Sequence, residues 1–369
     1  MKLYCQKSSL TNALNNVSHA LPSRTTNKIL EGILVEVKDN EMTFTSTDTN
    51  ITVKTRIGID GNGEADFVVP AKKFISIAAK LPEEEVILEF DNEKSSLSIK
   101  SGKSCSHLIT FPADEYPKVM VQSSENPISL NKESFRKMIR KTAFSASSDE
   151  MNGVLTGVLL EIKNKMIKMI AVDTFRLAVY EDPAETDEDE NVSMIIPAKL
   201  LTESSKVIPD EGDDQLQLSI TDNKVVMDFD NNRVVINTLN GNFINYEKII
   251  RRDGTIKVRV KKEDLLASID RASLMATVQT NNLIKWTIKE DTLEMNSLSE
   301  EGIIDESVEI IKEGEDLNIG FNYKYIMEIL KVIDDEEIIL HMKDSLSPCL
   351  ITPLQGEKYL YLVLPVRLN

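Results

Sequence analysis

ILEGILVEV, at Ile29–Val37, and VLTGVLLEI, at Val154–Ile162, are one pattern written twice, 125 residues apart. Working outward from this pair, the likeness continues in order. FTSTDTNITV matches MIAVDTFRLAV with Asp48 on Asp173, again at an offset of 125. FVVPAKKFISIAAKLP matches MIIPAKLLTESSKVIP with Pro70 on Pro197, and FPADEYPKV matches FINYEKIIR with Phe111 on Phe243. Four collinear matches at nearly constant spacing mark an internal repeat. A third copy is fainter. A strand followed by a Lys-led helix opens each copy, at Lys7, Lys132 and Lys262, and NYKYIMEIL from Asn322 takes the place of AKKFISIAAKL. The expected domains are 1–122, 123–253 and 254–369.

Within each copy the apolar residues alternate in short runs punctuated by turn residues, which reads as antiparallel strands. TVKTRIGIDGNGEADFVV reads as two strands about a Gly-Asn-Gly turn. EEVILEFDNEKSSLSIKSG and QLQLSITDNKVVMDFDNNRVVINTL read as further hairpins with Asp-Asn turns. Two segments per copy switch to helical spacing, as in Phe135, Met138 and Ile139. The expected class is α+β: three repeated domains, each of antiparallel sheet with two helices on one face.

A chain of 369 residues is too long for one ordinary core and fits two or three domains. No run of 18 apolar residues suggests a membrane span, and MKLYCQKSSL does not read as a secretory signal. Three widely spaced cysteines, Cys5, Cys105 and Cys349, suggest neither a disulfide framework nor a zinc site, and a reducing cytoplasm is expected.

The net charge is −17, which by itself argues against a nucleic-acid partner. Its distribution argues the other way. Six expected helical segments (7–20, 71–81, 131–143, 197–207, 261–273 and 322–333) hold 16 basic and 6 acidic side chains, a net +10 in an acidic chain. In 131–143 the bases recur along one face, opposite Phe135, Met138 and Ile139. Basic helices recurring through a repeat point to a polyanion met through its phosphates, since no base-reading motif accompanies them.

No phosphate-binding glycine loop, zinc-protease motif or nucleophile elbow is written in the chain, and His19, His107 and His341 lie far apart. A non-catalytic protein with no cofactor and no metal is expected. Asp48 and Asp173 read as turn caps. The acidic run Glu181–Glu190 reads as a solvated connection.

The three-copy layout, PSRTTNKILEGILVEV at Pro22–Val37, AVDTFRLAVY at Ala171–Tyr180 and YLYLVLPVRLN at Tyr359–Asn369 together resemble the bacterial DNA sliding clamp, the beta subunit of DNA polymerase III. The resemblance runs the whole length. It implies a head-to-tail homodimeric ring around duplex DNA, helices lining the hole. It also implies a cleft where the replicative polymerase, clamp loader, repair polymerases and mismatch-repair proteins dock through short peptides. By matching position, one wall of that cleft is Leu155, Val172, Thr174, Phe175, Arg176, Leu177, Lys248, Ile249, Leu362 and Leu364. The other is Asn322, Tyr325, Leu346, Pro365, Val366, Arg367 and Leu368. Arg24 and Lys199 match positions that approach DNA, and Lys72, Lys80, Arg136 and Arg140 join them on the basic helices. Leu108, Leu274 and Met275 fall near the dimer joint. The chain departs from the family at Thr174-Phe175, where Gly-His is common, at Ile244 in place of a proline, and at Asn369. Read without the resemblance, Leu155, Leu177 and Ile249 are ordinary core residues. The competing reading is an acidic, repeat-built protein-interaction adaptor that does not encircle DNA.

Overall fold

The computed structural model describes residues 1–118, 124, 126–184, 191–209, 214–221, 223–277 and 281–368. The acidic run from residue 185 to 190, the expected domain boundary at 122–123, and Asn369 lie outside the described residues. The chain divides into two compact units. One holds Met1–Arg136 and Lys199–Thr238, the other Lys137–Ala198 and Leu239–Asn369.

Six α-helices stand where helical spacing places them: α1 Lys7–Ser18, α2 Ala71–Ala79, α3 Lys132–Thr142, α4 Ala198–Val207, α5 Lys262–Ala272 and α6 Tyr323–Val332. Each follows directly on a strand. α1 buries Leu10, Ala13, Leu14 and Val17 at i, i+3, i+4, i+7, and α6 buries Ile326, Met327, Ile329 and Leu330. Each fully buried Leu or Ile contributes roughly 1.5–3 kcal/mol of hydrophobic stabilisation. Asn322 starts α6 by accepting the Lys324 N–H at 3.1 Å, satisfying one amide that the helix itself cannot. Among the described residues no helix is long and apolar enough to cross a membrane.

The strands form antiparallel sheets. In the first unit a nine-stranded sheet runs from Ile128–Asn131 to Phe111–Pro112, and a four-stranded sheet ends on the edge strand Ser104–Ile109. In the second unit the ladder has twelve strands. Hairpins read from the sequence recur: Glu85–Asp91 pairs with Ser96–Ser101, and Gln215–Thr221, Lys224–Phe229 and Asn232–Asn237 form a meander. Asp230, in the second of its turns, takes φ 46°, a conformation Asp tolerates better than most residues.

Two expectations are corrected. Ile51–Gly58 and Ala65–Pro70 do not pair across the Gly-Asn-Gly segment. The first strand pairs with Glu41–Thr47 and Asn232–Asn237, the second with Gly32–Lys38 and Phe111–Pro112. The bases of α3, expected along one face turned to a polyanion, are also not all exposed. Lys132 and Lys141 are buried, each ion-paired with an acid distant in sequence: Lys132 with Asp230 at 2.8 Å and Lys141 with Asp334 at 2.9 Å.

Candidate functional site: an apolar cleft around Arg176

The site is built on a turn. The Asp173 carboxylate accepts the N–H groups of Phe175 at 2.7 Å and Arg176 at 2.9 Å, and its own N–H reaches the Arg176 carbonyl at 3.1 Å. This reverses the chain between Met166–Val172 and Arg176–Pro183, which pair with Val172 opposite Leu177. Arg176–Pro183 then pairs on its other side with Tyr359–Val363, Leu177 opposite Leu362. Residues nearly 190 apart in sequence therefore share one ladder.

Below the turn lies a packed apolar floor. Leu159, Ile170, Val172, Leu177, Ile195, Tyr246, Leu350, Leu360 and Leu362 are buried together, with Val154, Leu155, Phe243, Ile244 and Ile250 packed against them. Tyr246 donates to Glu161 at 2.8 Å; burial and that carboxylate push its phenol above the ordinary range. The short 3₁₀ turn Tyr246–Lys248 leaves Lys248 and Ile249 exposed beside it.

Arg176 is only 9 % exposed and its guanidinium is fully engaged. It donates to Asp173 at 3.1 Å, to the Phe144 carbonyl at 2.7 Å and to Glu328 on α6. Its plane also lies over aromatic rings, 5.3 Å from the Phe144 centroid and 4.9 Å from that of Tyr325. A planar fork with several fixed partners is the use for which lysine is a poor substitute. Tyr325 stacks on Phe175 with centroids 5.5 Å apart and planes 16° from parallel. Burial, then the Asp173 charge, raise the Tyr325 phenol pKa.

The C-terminal tail stitches both walls. The Leu364 N–H donates to the Phe175 carbonyl at 2.8 Å, and the Val366 N–H donates to the Gly320 carbonyl at 2.8 Å. A β-carbon at Gly320 would come within 2.7 Å of both Leu368 Cδ2 and Leu283 Cδ1, so the tail packs closely against the glycine. Leu364 and Phe175, joined through the backbone, stay 37 % and 49 % exposed, and Leu346 62 %.

The structure thus brings together Leu155, Val172, Leu177 and Leu362 in the floor, and Thr174, Phe175, Arg176, Tyr325, Leu364, Pro365, Val366 and Leu368 around the turn and tail. Asn322 caps α6. Leu346 is fixed by its own Asp344 turn, and Arg367 is exposed. Sequence reasoning missed Asp173 as the orienting acid, Glu328, Phe144, Gly320, Leu360 and Tyr246. Glu328 lies one helical turn from Tyr325, a spacing that was available to find it.

The basic residues divide. Arg24, Lys72, Lys80 and Lys199 are exposed and, among the described residues, have no ion-pair partner. Arg136 donates to the Ile208 carbonyl at 3.1 Å. Arg140, with Lys137 and Lys141, converges on Asp334, at 3.0, 3.0 and 2.9 Å. Burial raises the Asp334 pKa, but hydrogen bonds from the three cations outweigh it and hold the carboxyl well below its usual range. The three histidines are scattered: His19 on Glu203, His107 between Ser98 and Cys105, His341 on Thr352. Leu108 is half-buried on the edge strand Ser104–Ile109. Leu274 is 75 % exposed, and Met275 receives the Ser299 hydroxyl at 3.3 Å.

Three family models of the DNA polymerase III beta subunit match the chain, the N-terminal domain over residues 1–120, the central domain over 129–245 and the C-terminal domain over 247–367. The beta sliding clamps of Staphylococcus epidermidis and Bacillus subtilis are each 32 % identical, over 100 % of this chain and 99 % and 100 % of theirs. The solved Bacillus subtilis clamp superposes with a TM-score of 0.95, and a putative DNA polymerase III beta subunit from Eubacterium rectale with 0.93, both at 32 % identity and full coverage of both chains. With a matching model on each third and full-length relatives at that identity, the chain belongs to the beta sliding clamp family, the beta subunits of DNA polymerase III.

Proposed function

We propose that two copies of this chain close head to tail into a ring that slides on duplex DNA, and that the Arg176 cleft tethers the polymerase to it. The protein is a non-catalytic processivity factor. The observation that carries the ring is a pair of unlike open edges. Ser104–Ile109 pairs only with Ser96–Ser101 among the described residues and ends on Ile109, 70 % exposed. In the other unit, among the described residues, Gly302–Glu313 pairs along its first eight residues with Thr292–Ser299 alone. Beside it Leu274, Leu298 and Ile303 are 75 %, 57 % and 60 % exposed. An apolar strand edge left open invites a second chain. Edges that differ join heterologously, and such contacts close into a ring when the rotation allows. Leu108, Leu274 and Met275 are assigned to this joint.

Twelve helices spaced about 8–10 Å apart enclose a hole of roughly 25 Å, wide enough for a duplex of about 20 Å, whereas six do not. Each chain supplies six, in three domains assigned to 1–122, 123–253 and 254–369. Arg24, Lys72, Lys80 and Lys199, exposed and without ion-pair partners among the described residues, are the phosphate-facing residues we favour, ahead of Arg136 and Arg140, whose guanidiniums are engaged. The cleft is assigned to short segments of the polymerase, clamp loader, repair polymerases and mismatch-repair proteins, in the cytoplasm.

The test is topological. Loaded protein is expected to stay on circular DNA and to run off linear DNA. Direct binding to linear duplex is expected to fall steeply with salt, because it is phosphate-driven. Replacing Arg24, Lys72, Lys80 and Lys199 together by Glu is expected to impair loading with the fold intact. Equal loss from circular and linear DNA would favour the adaptor reading.

A further inference from the structure

We infer that Cys105 is a modification site: assisted by His107, its thiol exchanges with small disulfides, and the mixed disulfide it forms blocks the open edge of Ser104–Ile109. The thiol chemistry stands on its own, and its effect on assembly rests on the reading of that edge as the ring joint.

Of the three cysteines, Cys5 and Cys349 are buried, and burial pushes both thiols up to about 12. Cys105 is exposed. Alternate residues of a strand share a face, so His107 stands beside it. The His107 Nε2 lies 3.5 Å from the Cys105 Sγ, and its Nδ1 lies 2.8 Å from the Ser98 hydroxyl. Ser98 is directly opposite His107 on the neighbouring strand, Ser96–Ser101. With the Nδ1 proton donated to Ser98, Nε2 is left bare and faces the thiol. A nucleophile, a base within reach of its proton and a third group that orients the base are the parts of an activated thiol. Lys100 stands opposite Cys105, but its ammonium is tied to Glu89 at 2.6 Å, which leaves His107 as the group that acts on the sulfur.

The exchange balances. His107 Nε2 takes the Sγ proton. The Cys105 thiolate attacks one sulfur of a disulfide R–S–S–R, the bond between its two sulfurs breaks, and the leaving R–S⁻ takes the proton from His107. Cys105 is oxidised to a mixed disulfide, and half of the reagent is reduced to a thiol. The adduct then stands on a strand that pairs only with Ser96–Ser101 among the described residues, the strand that also carries Leu108 and Ile109. A group of tripeptide size there obstructs a second strand from adding to the edge. An oxidised thiol pool thereby holds the ring open, and reduction of the mixed disulfide restores it.

The experiment exposes the full chain to oxidised glutathione at pH 7 and reads intact mass against time, with the monomer–dimer balance followed by sedimentation. Wild type is expected to gain one glutathione, mapped to Cys105, and Cys105→Ser none. A free cysteine is only a few per cent thiolate at pH 7, which leaves room for a base to speed the reaction about tenfold. His107→Ala is therefore expected to react about tenfold more slowly and to regain most of its rate with added imidazole. The dimer dissociation constant of the modified chain is expected to rise about tenfold or more and to return with dithiothreitol, while Cys105→Ser dimerises equally with and without glutathione. Equal rates for wild type and His107→Ala, or an adduct on another cysteine, would overturn the assisted thiol. An adduct on Cys105 that leaves the dimer unchanged would overturn the blocked edge. A wild type that is monomeric before any treatment would instead overturn the ring reading, while the rate comparison still decides the thiol chemistry.

Discussion

The molecule makes the same joint twice. In the first unit Ile51–Gly58 pairs with Asn232–Asn237, and in the second Arg176–Pro183 pairs with Tyr359–Val363. Both are entered through one turn. Asp48 accepts the N–H groups of Asn50 and Ile51 at 2.8 Å each, as Asp173 accepts those of Phe175 and Arg176. In both, the strand arriving from the next repeat reaches back to the turn: Asn237 N–H to the Asn50 carbonyl at 2.9 Å, Leu364 N–H to the Phe175 carbonyl. What differs is chemistry. At the first joint Asn237 also caps the Thr49 carbonyl at 3.0 Å, and Ile51 is simply buried. At the second, a phenylalanine stands exposed and an arginine holds three oxygen partners at once. A repeated backbone supplies the scaffold, and a few side chains turn one copy into a site.

The sharpest way to break the comparison is to remove what only the second joint has. Deleting residues 365–369 is expected to lower affinity for a cleft peptide by about 100-fold, about 2.7 kcal/mol, measured by anisotropy. The melting midpoint and the dimer are expected to be nearly kept, since the tail contributes little core beyond the Val366 hydrogen bond and Leu368. Unchanged affinity would place the partner site elsewhere.

Next is the way each joint is fastened. The second rests partly on three cations around Asp334, with Lys141 buried against the Tyr180 and Tyr359 rings. Burial lowers the Lys141 pKa and the Asp334 carboxylate opposes that fall. Asp334→Asn is expected to cost about 2 kcal/mol at pH 7, below the usual range for a broken buried pair because Asp334 is 45 % exposed. Its folded pKa lies below the unfolded value near 3.8, so the contribution is full above that value and fades as pH falls through the folded pKa. Urea unfolding at pH 7 and pH 3 is expected to show the mutational gap shrinking at the lower pH.

The paired turns give the cleanest control. Asp48→Ala and Asp173→Ala are each expected to cost about 1.5 kcal/mol by removing two charge-assisted backbone bonds. Only Asp173→Ala is expected to weaken peptide binding, since it also releases one nitrogen of Arg176. Equal effects on the peptide would dissolve the distinction between the joints.

The smallest effect belongs to the neutral fastening of the first joint. Asn232 accepts from Asn16 at 3.0 Å and Thr55 at 2.7 Å. Asn232→Ala is expected to cost about 1 kcal/mol with little dependence on pH between 7 and 3, in contrast to Asp334→Asn.

How much of this was legible varies with range. The repeat, the six helices and the Asp-Asn turns are written locally, because helix and strand periods of 3.6 and 2 and the preferences of turn residues act over a few positions. The turn at Asp173 and the apolar character of Leu155, Leu177 and Leu362 were therefore readable. Their use as a cleft came from family resemblance alone. Tertiary structure decided the rest. Pairing of Ile51–Gly58 with Asn232–Asn237 joins strands some 180 residues apart, which no local pattern encodes, and the nearer Ala65–Pro70 was the natural but mistaken partner. The fate of the basic residues was equally invisible: Lys141 and Arg140 look alike in a helical pattern, yet one is buried and the other half-exposed on the same Asp334. A charge's meaning depends on which acid the fold brings within 3 Å and how much water remains around it. Sequence fixes neither until the chain has folded.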